Sequence, residues 1–161
     1  MSDEAARLRP MTSEEFDAWL PRQVAEYAEM IAASGAMPPE AAQAKAVADT
    51  ARVLPRGLAA PGQLLFRVMA ADTAVGSLWL GIPGPDPDPR MAWVYDIQID
   101  AAYRGHGYGR LAMRLAEDEV RSRGMTSLGL NVHGQNTVAR TLYDSLGYEV
   151  MAQQMKKSVS G

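Results

Sequence analysis

Residues 91–132 constrain this chain more tightly than any other part of it. "MAWVYDIQID" alternates as a strand, with Met91, Trp93, Tyr95, Ile97 and Ile99 expected on one face and Asp96 and Gln98 on the other. "YRGHGYGR" follows directly, and then Tyr108, Leu111, Ala112, Leu115 and Ala116 mark the apolar face of a helix reaching Arg123, closed by Gly124. "TSLGLNV" is a second strand. A strand, a helix and a strand in that order form one βαβ unit, so the two strands are expected to be parallel neighbours.

The flanking sequence supplies the rest of an α/β domain. Thr12 and Glu15 form a capping box before "EEFDAWLPRQVAEYAEMIAASG", a helix with an expected kink at Pro21 and a stop at Gly35. "PPEAAQAKAVADTARVL" opens a second helix with Pro39 near its first position, and its alanines and weak stripe suggest a surface helix. "QLLFRVMA" and "AVGSLWLG" read as strands joined at "ADTA", and the proline-rich "IPGPDPDPR" as a stiff exposed loop. "NTVARTLYDSL" reads as a helix stopped by Gly147, and "YEVMAQQMKKS" as a final strand. At 161 residues the chain suits one domain, spanning 1–161.

The glycine stretch, Tyr103 to Arg110, places three glycines at alternate positions between two arginines, just ahead of a helix. It reads as a plain loop, as a nucleotide-phosphate loop, or as a seat for another phosphate. A helix N-terminus offers amides without helical partners and a partial positive charge. Gly105, Gly107 and Gly109 permit close backbone approach, and Arg104 and Arg110 add charge. A P-loop would need Lys followed by Ser or Thr, whereas Arg110 and Leu111 follow Gly109; a dinucleotide fingerprint needs a longer last interval.

Composition removes other chemistries. Cysteine is absent, so thiol nucleophiles, disulfides and thiolate metal sites are excluded together. His106 and His133 match no zinc spacing, so no metal is expected. The formal net charge of −3 argues against a general nucleic-acid partner. "MSDEAARLRP" has early acids and no apolar run, and no stretch suits a membrane span, so a cytoplasmic location is expected. Residues 1–100 carry eight Lys and Arg against fourteen Asp and Glu, while 101–161 carry eight against five. Such asymmetry suits a cationic ligand on the first part and an anionic one on the second, or is no more than variation of a solvated surface.

Two blocks carry a family resemblance. "IQIDAAYRGHGYGRLAMRLAEDE" resembles the acyl-CoA signature of the GNAT N-acetyltransferase superfamily, with Arg104, Gly107 and Gly109 at its named positions. "NTVARTLYDSLGYE" is similar to the family's second block. Together they span roughly 91–150; Ala101 departs from the proline of many relatives. The resemblance implies an α/β (α+β) fold, with a mixed central sheet, a splayed parallel strand pair and helices on both faces. It also implies acetyl-CoA as co-substrate. Backbone groups of Ile97, Gln98 and Ile99 would hold the pantetheine arm. The amides of Gly105, His106, Gly107, Tyr108, Gly109 and Arg110 would hold the pyrophosphate. Asn136 would bind the pantetheine or pyrophosphate region, and Tyr143 would be the general acid.

Transfer to an amine also needs a base, and Asp96, next to Ile97, is the first candidate, with a solvated carboxylate as the ordinary alternative. His133 is the second candidate. Trp79, Trp93 and Tyr95 line an acceptor pocket or simply fill the core, and Tyr148 is expected to pack. The acceptor is an amine on a small molecule or peptide, and homodimerisation stays open. The other reading of a different class is a catalytically silent acyl-CoA-binding sensor, which would keep the glycine turn and lose the chemistry.

Overall fold

The computed structural model describes residues 6–160. They fall into two compact units, one ending at Leu130 and the other beginning at Asn131. In the first, β1 (Ala6–Pro10) leads to α1 (Ser13–Ala33) and α2 (Pro39–Val53). β2 (Gln63–Ala70), β3 (Thr73–Gly81) and β4 (Met91–Ile99) follow, then α3 (Tyr108–Ser122) and β5 (Ser127–Leu130). The sheet runs β1-β2-β3-β4-β5, antiparallel throughout except for the parallel pair β4–β5. That pair is the one the strand–helix–strand pattern requires. No helix among the described residues is long and apolar enough to cross a membrane.

β1 is not announced by the sequence. Five residues that alternate apolar side chains with two arginines and end in a proline are too short a run to signal a strand, yet Ala6 to Pro10 pair with Ala70 to Phe66 at the edge of the sheet. Charge and proline are how an edge strand avoids pairing with strangers. α1 has the expected capping box, with the Glu15 N–H donating to Thr12 Oγ1 and the Thr12 N–H donating to Glu15 Oε1. It is one continuous helix through Pro21 rather than two segments.

Both faces of the sheet are covered, which is why Val75 to Gly81 of β3 are buried without interruption. On one face Met11, Phe16, Trp19, Leu54, Ala60, Leu65 and Trp79 make a cluster that fastens α1 down. α3 packs on β3, β4 and β5 with Ala112, Met113, Ala116 and Val120 buried. α2 is more than a loose surface helix: Ala42 and Ala46 are fully buried, small enough to let it lie close to α1. Asp49 of α2 accepts from Tyr27 of α1 and pairs with Lys45 and Arg52.

Among its described residues the second unit holds one regular element, α4 (Thr137–Ser145), followed by Gly147 with φ 90°. The final strand expected over 148–158 is not formed: residues 148–160 have no regular structure, and Val150, Met151, Met155 and Val159 are exposed. A strand exists only through a ladder partner, and this unit contains no strand among its described residues.

A charged chain links β1, α1, β2 and the end of β4. Arg9 grips Glu15 with two hydrogen bonds of 2.8 Å, and Arg67 reaches Asp100 at 2.9 Å and Glu15 at 3.8 Å. The bonds from Arg9, opposed by burial and aided by the Thr12 N–H, hold the Glu15 carboxyl at about 2, below its ordinary 4.5. The stabilisation is therefore complete above the ordinary value and is lost as pH falls through about 2. Glu15→Gln should cost about 1 kcal/mol near neutral pH, the pair being partly solvated. Urea melts of both proteins should converge as the pH is lowered from neutral through that window.

Candidate active site

The register of β4 determines the site. Leu80 of β3 faces Val94 and Trp79 faces Asp96, so Tyr95 is an extra residue in β4, a bulge. Residues directly opposite in a ladder share a face. Strict alternation would set Asp96 and Gln98 against Trp93; the bulge instead moves them to the face of Trp79, and Ile97 and Ile99 to the face of Leu78 and Gly76. The five-residue apolar face expected over 91–99 is therefore split at Tyr95. Its ring stacks on Trp79 at 4.7 Å, in space that Gly81 leaves: a Cβ there would strike Tyr95.

β4 also outruns β5. Met91 to Val94 pair with Ser127 to Leu130, and there β5 ends while β4 continues to Ile99. Beyond Val94 the edge of β4 that faced β5 has no strand beside it in this unit. Alternation decides which backbone groups look out there. The Asp100 N–H donates to Val75 of β3 at 2.8 Å, and a Cβ on Gly76 would strike the Gln98 carbonyl, so the even residues face β3. Ile97 and Ile99 face the open edge. Of the three backbone partners the family resemblance implies, Gln98 is turned the other way.

The glycine turn begins where β4 stops. A short 3-10 turn, Ala101–Tyr103, leads into Arg104, whose Nε donates to the Ile99 carbonyl at 2.9 Å. This arginine ties the turn to the strand end and occupies one open-edge carbonyl. His106 Nδ1 lies 3.2 Å from the Tyr103 carbonyl, and the Tyr108 ring meets both Tyr103 and His106. Gly105 and Gly107 have φ of 80° and 83°, in the left-handed region, and a Cβ on either would meet nothing within 4 Å. Gly107 caps α3, with no side chain bonded to the helix start, so the amides of Tyr108 and Gly109 have no acceptor within the helix. The open space over the glycines, the first-turn amides and the nearby Arg104 and Arg110 make a seat suited to an anion, and the edge of β4 beyond Val94 offers backbone partners to an extended chain.

On the opposite face, α1 and β4 meet through paired side chains. Trp19 and Glu26 stand two helical turns apart, hence on one face of α1. Trp19 is buried, set edge-on to Trp79 at 5.6 Å, and its indole N–H favours ionised Asp96. Glu26 accepts a 3.0 Å bond from Gln98 Nε2. Burial, with Glu26 adding a like charge, outweighs the indole and raises the Asp96 carboxyl to about 7. A carboxylate that titrates near neutrality is suited to accept a proton from an amine. Sequence reading finds Asp96 and misses Glu26; its only signal is the seven-residue spacing from Trp19. Trp79 is core, while Trp93 and Tyr95 are half-buried.

Asn136, His133 and Tyr143 belong to the second unit. Asn136 caps α4, its Oδ1 accepting from the Ala139 N–H at 3.2 Å. The His133 carbonyl accepts from the Asn136 N–H at 2.9 Å. Tyr143 is half-buried, with the Tyr148 ring edge-on at 5.8 Å, so Tyr148 packs as expected.

The raised Asp96 value has a signed consequence. Folding favours its protonated form, so that stability is present below the ordinary 3.8 and is lost as pH rises through about 7. Asp96→Asn should therefore gain on the wild type as pH rises, by on the order of 1 kcal/mol or more. Denaturant melts of both proteins on either side of that window measure it; a difference independent of pH would place Asp96 in water.

Comparison with known proteins agrees with this geometry. The model of the Acetyltransferase (GNAT) family matches residues 27–148. The uncharacterized N-acetyltransferase YycN of Bacillus subtilis is 33% identical over 94% of this chain and 97% of its own. Its crystal structure superposes with a TM-score of 0.89, covering 97% of this chain and 99% of that one at 32% identity. A second Bacillus subtilis protein, the uncharacterized N-acetyltransferase YdgE, is 27% identical over 96% of this chain and 99% of its own. A structure from Pyrococcus furiosus, 20% identical, shares the fold with a TM-score of 0.67, covering 96% of this chain and 99% of that one. With a matched family model, a full-length relative and the split parallel pair in agreement, this chain belongs to the acetyltransferase (GNAT) family of N-acetyltransferases.

Proposed function

We propose that this chain moves an acetyl group from acetyl-CoA to a primary amine by direct attack through a tetrahedral intermediate, acting as one domain over residues 1–161. One observation carries the reading: β4 continues past the end of β5 and runs directly into a glycine turn that opens α3. The open strand edge suits the amide-bearing pantetheine arm, and the turn suits the pyrophosphate next to it in the same molecule. Backbone groups of Ile97 and Ile99 take the arm. The amides from Gly105 to Arg110 take the pyrophosphate, and Asn136 takes the pantetheine or pyrophosphate region.

The chemistry follows from charge. An alkylamine is mostly protonated at neutral pH, so Asp96 accepts one proton to expose the lone pair. The C–N bond forms as the lone pair attacks the acetyl carbonyl carbon, and the C–S bond breaks as the intermediate collapses. The nitrogen sheds a second proton to solvent, the departing thiolate gains one donated by Tyr143, and solvent returns a proton to the Tyr143 oxygen. The acceptor is a cationic amine on a small molecule or a peptide, in keeping with the acidic excess of residues 1–100.

Two experiments test this reading. CoA and acetyl-CoA should raise the melting temperature while ATP and NAD at equal concentration do not, because only a ligand of the native state stabilises it. Gly107→Asn should abolish most of the shift at little cost to folding. Asparagine tolerates the left-handed conformation yet fills the space above the turn, whereas valine would strain the backbone. A larger shift with ATP than with CoA would assign the turn to nucleotides.

The second experiment separates an enzyme from a sensor. Tyr143→Phe keeps the ring and its packing, and should lower turnover by roughly 100-fold with the acetyl-CoA KM little changed. Wild-type turnover in the variant would make Tyr143 a packing residue. Acetyl-CoA binding without turnover of any amine by the wild type would favour the sensor.

A further inference from the structure

Beyond the proton acceptor, the face shared by α1 and β4 holds a second carboxylate that the transfer reaction has not yet used. Glu26 lies two turns after Trp19, the residue whose indole serves Asp96, and is fixed by Gln98 Nε2 at 3.0 Å. Gln98 stands two residues after Asp96, hence on the same face, and the bulge at Tyr95 turns that face to the Trp79 side. Two carboxylates are thus brought to one side of the sheet, beside the stacked Trp79 and Tyr95 rings. None of the ion pairs among the described residues includes either one. The charged group that bears on Asp96 is Glu26 from α1; Tyr95, next to it in β4, stacks on Trp79, and Arg67 of β2 pairs with Asp100 and Glu15.

We propose that Glu26 is the residue that selects a cationic acceptor, its carboxylate binding the ammonium of the incoming amine and presenting that nitrogen to Asp96. The proposal rests on the acetyl-transfer reading above. Gln98 occupies one acceptor direction of Glu26 and leaves further lone pairs for a charge-assisted bond to the substrate. Trp79 is buried beneath Tyr95, and the half-buried Tyr95 ring suits the carbon chain or the cation itself. Proton balance is kept: one proton leaves the ammonium for Asp96 and then solvent, and the second, shed as the C–N bond forms, matches the proton gained by the thiolate. Glu26 also sustains the basicity of Asp96 by its negative charge, so removing that charge weakens the proton acceptor as well as the grip on the substrate.

The test uses the full chain with acetyl-CoA and two probes, phenethylamine, which is cationic at neutral pH, and aniline, which is not. Glu26→Gln preserves an oxygen for Gln98 and removes only the charge. It should raise the phenethylamine KM by about 10-fold or more and leave the KM for aniline and for acetyl-CoA within about 2-fold. The acidic limb of the pH–rate profile should move to lower pH, and carboxyl NMR should show Asp96 titrating lower than in wild type. Glu26→Asp, which keeps the charge, should restore the pH profile in part. An unchanged ratio of the two amine KM values, or an unmoved Asp96 titration, overturns the proposal. Asp96→Asn is run alongside: unaltered turnover in that variant would fail the base reading, while the KM ratio would still report on Glu26. If neither probe is acetylated, a calorimetric titration of phenethylammonium into wild type and Glu26→Gln decides, equal binding or none in the wild type counting against the proposal.

Discussion

β4 has one residue more than the β3 segment it pairs with, and that residue, Tyr95, decides what each face of the strand can do. On the N-terminal side of the bulge the side chains follow the phase of an ordinary buried strand. On the C-terminal side the phase is reversed, so Asp96 and Gln98 enter the space between the sheet and α1 while Ile97 and Ile99 turn toward the α3 side. Burial there raises the Asp96 value, and the same phase brings Gln98 to Glu26. The end of β5 at Leu130 adds the second half of the arrangement, a backbone edge beyond Val94 with no strand of the same unit beside it. A side-chain face and a backbone edge are thereby placed on the same few residues.

Much of the scaffold is legible because its signals are local. The Thr12–Glu15 box, Pro39 at a helix start, and Gly124 and Gly147 after helix ends each act within one turn of chain. The parallel β4–β5 pair follows from chain order alone. What cannot be read is what depends on a partner. β1 is recognisable only once β2 is beside it, and the strand expected over 148–158 has no partner in its unit among the described residues. The bulge belongs to the same class. Nothing in "WVYDIQ" marks Tyr95 as supernumerary, because the extra residue is defined by comparison with β3.

The candidate site divides in the same way. The glycine turn is visible because phosphate recognition by backbone demands residues without Cβ, and that demand shows in the letters themselves. Asp96 is visible as a carboxylate on the strand before the turn, though its burial is not. Glu26 is invisible, since its part depends on α1 crossing β4 at a particular point. That crossing is held by Trp19 against Trp79 and by the Glu15, Arg67 and Asp100 pairings at the other end of the face.

The division of labour along β4 bears on how such a chain can change over generations. Under the proposed reading, coenzyme recognition rests mainly on main-chain groups of Ile97, Ile99 and the turn, which every L-residue of suitable conformation supplies equally. Acceptor recognition rests on side chains facing the other way, from Glu26, Asp96 and their neighbours. Substitutions on the α1 face can therefore redirect the enzyme to a new amine without disturbing its hold on the acetyl donor. A fold built this way can diversify its acceptors while its common reagent stays fixed.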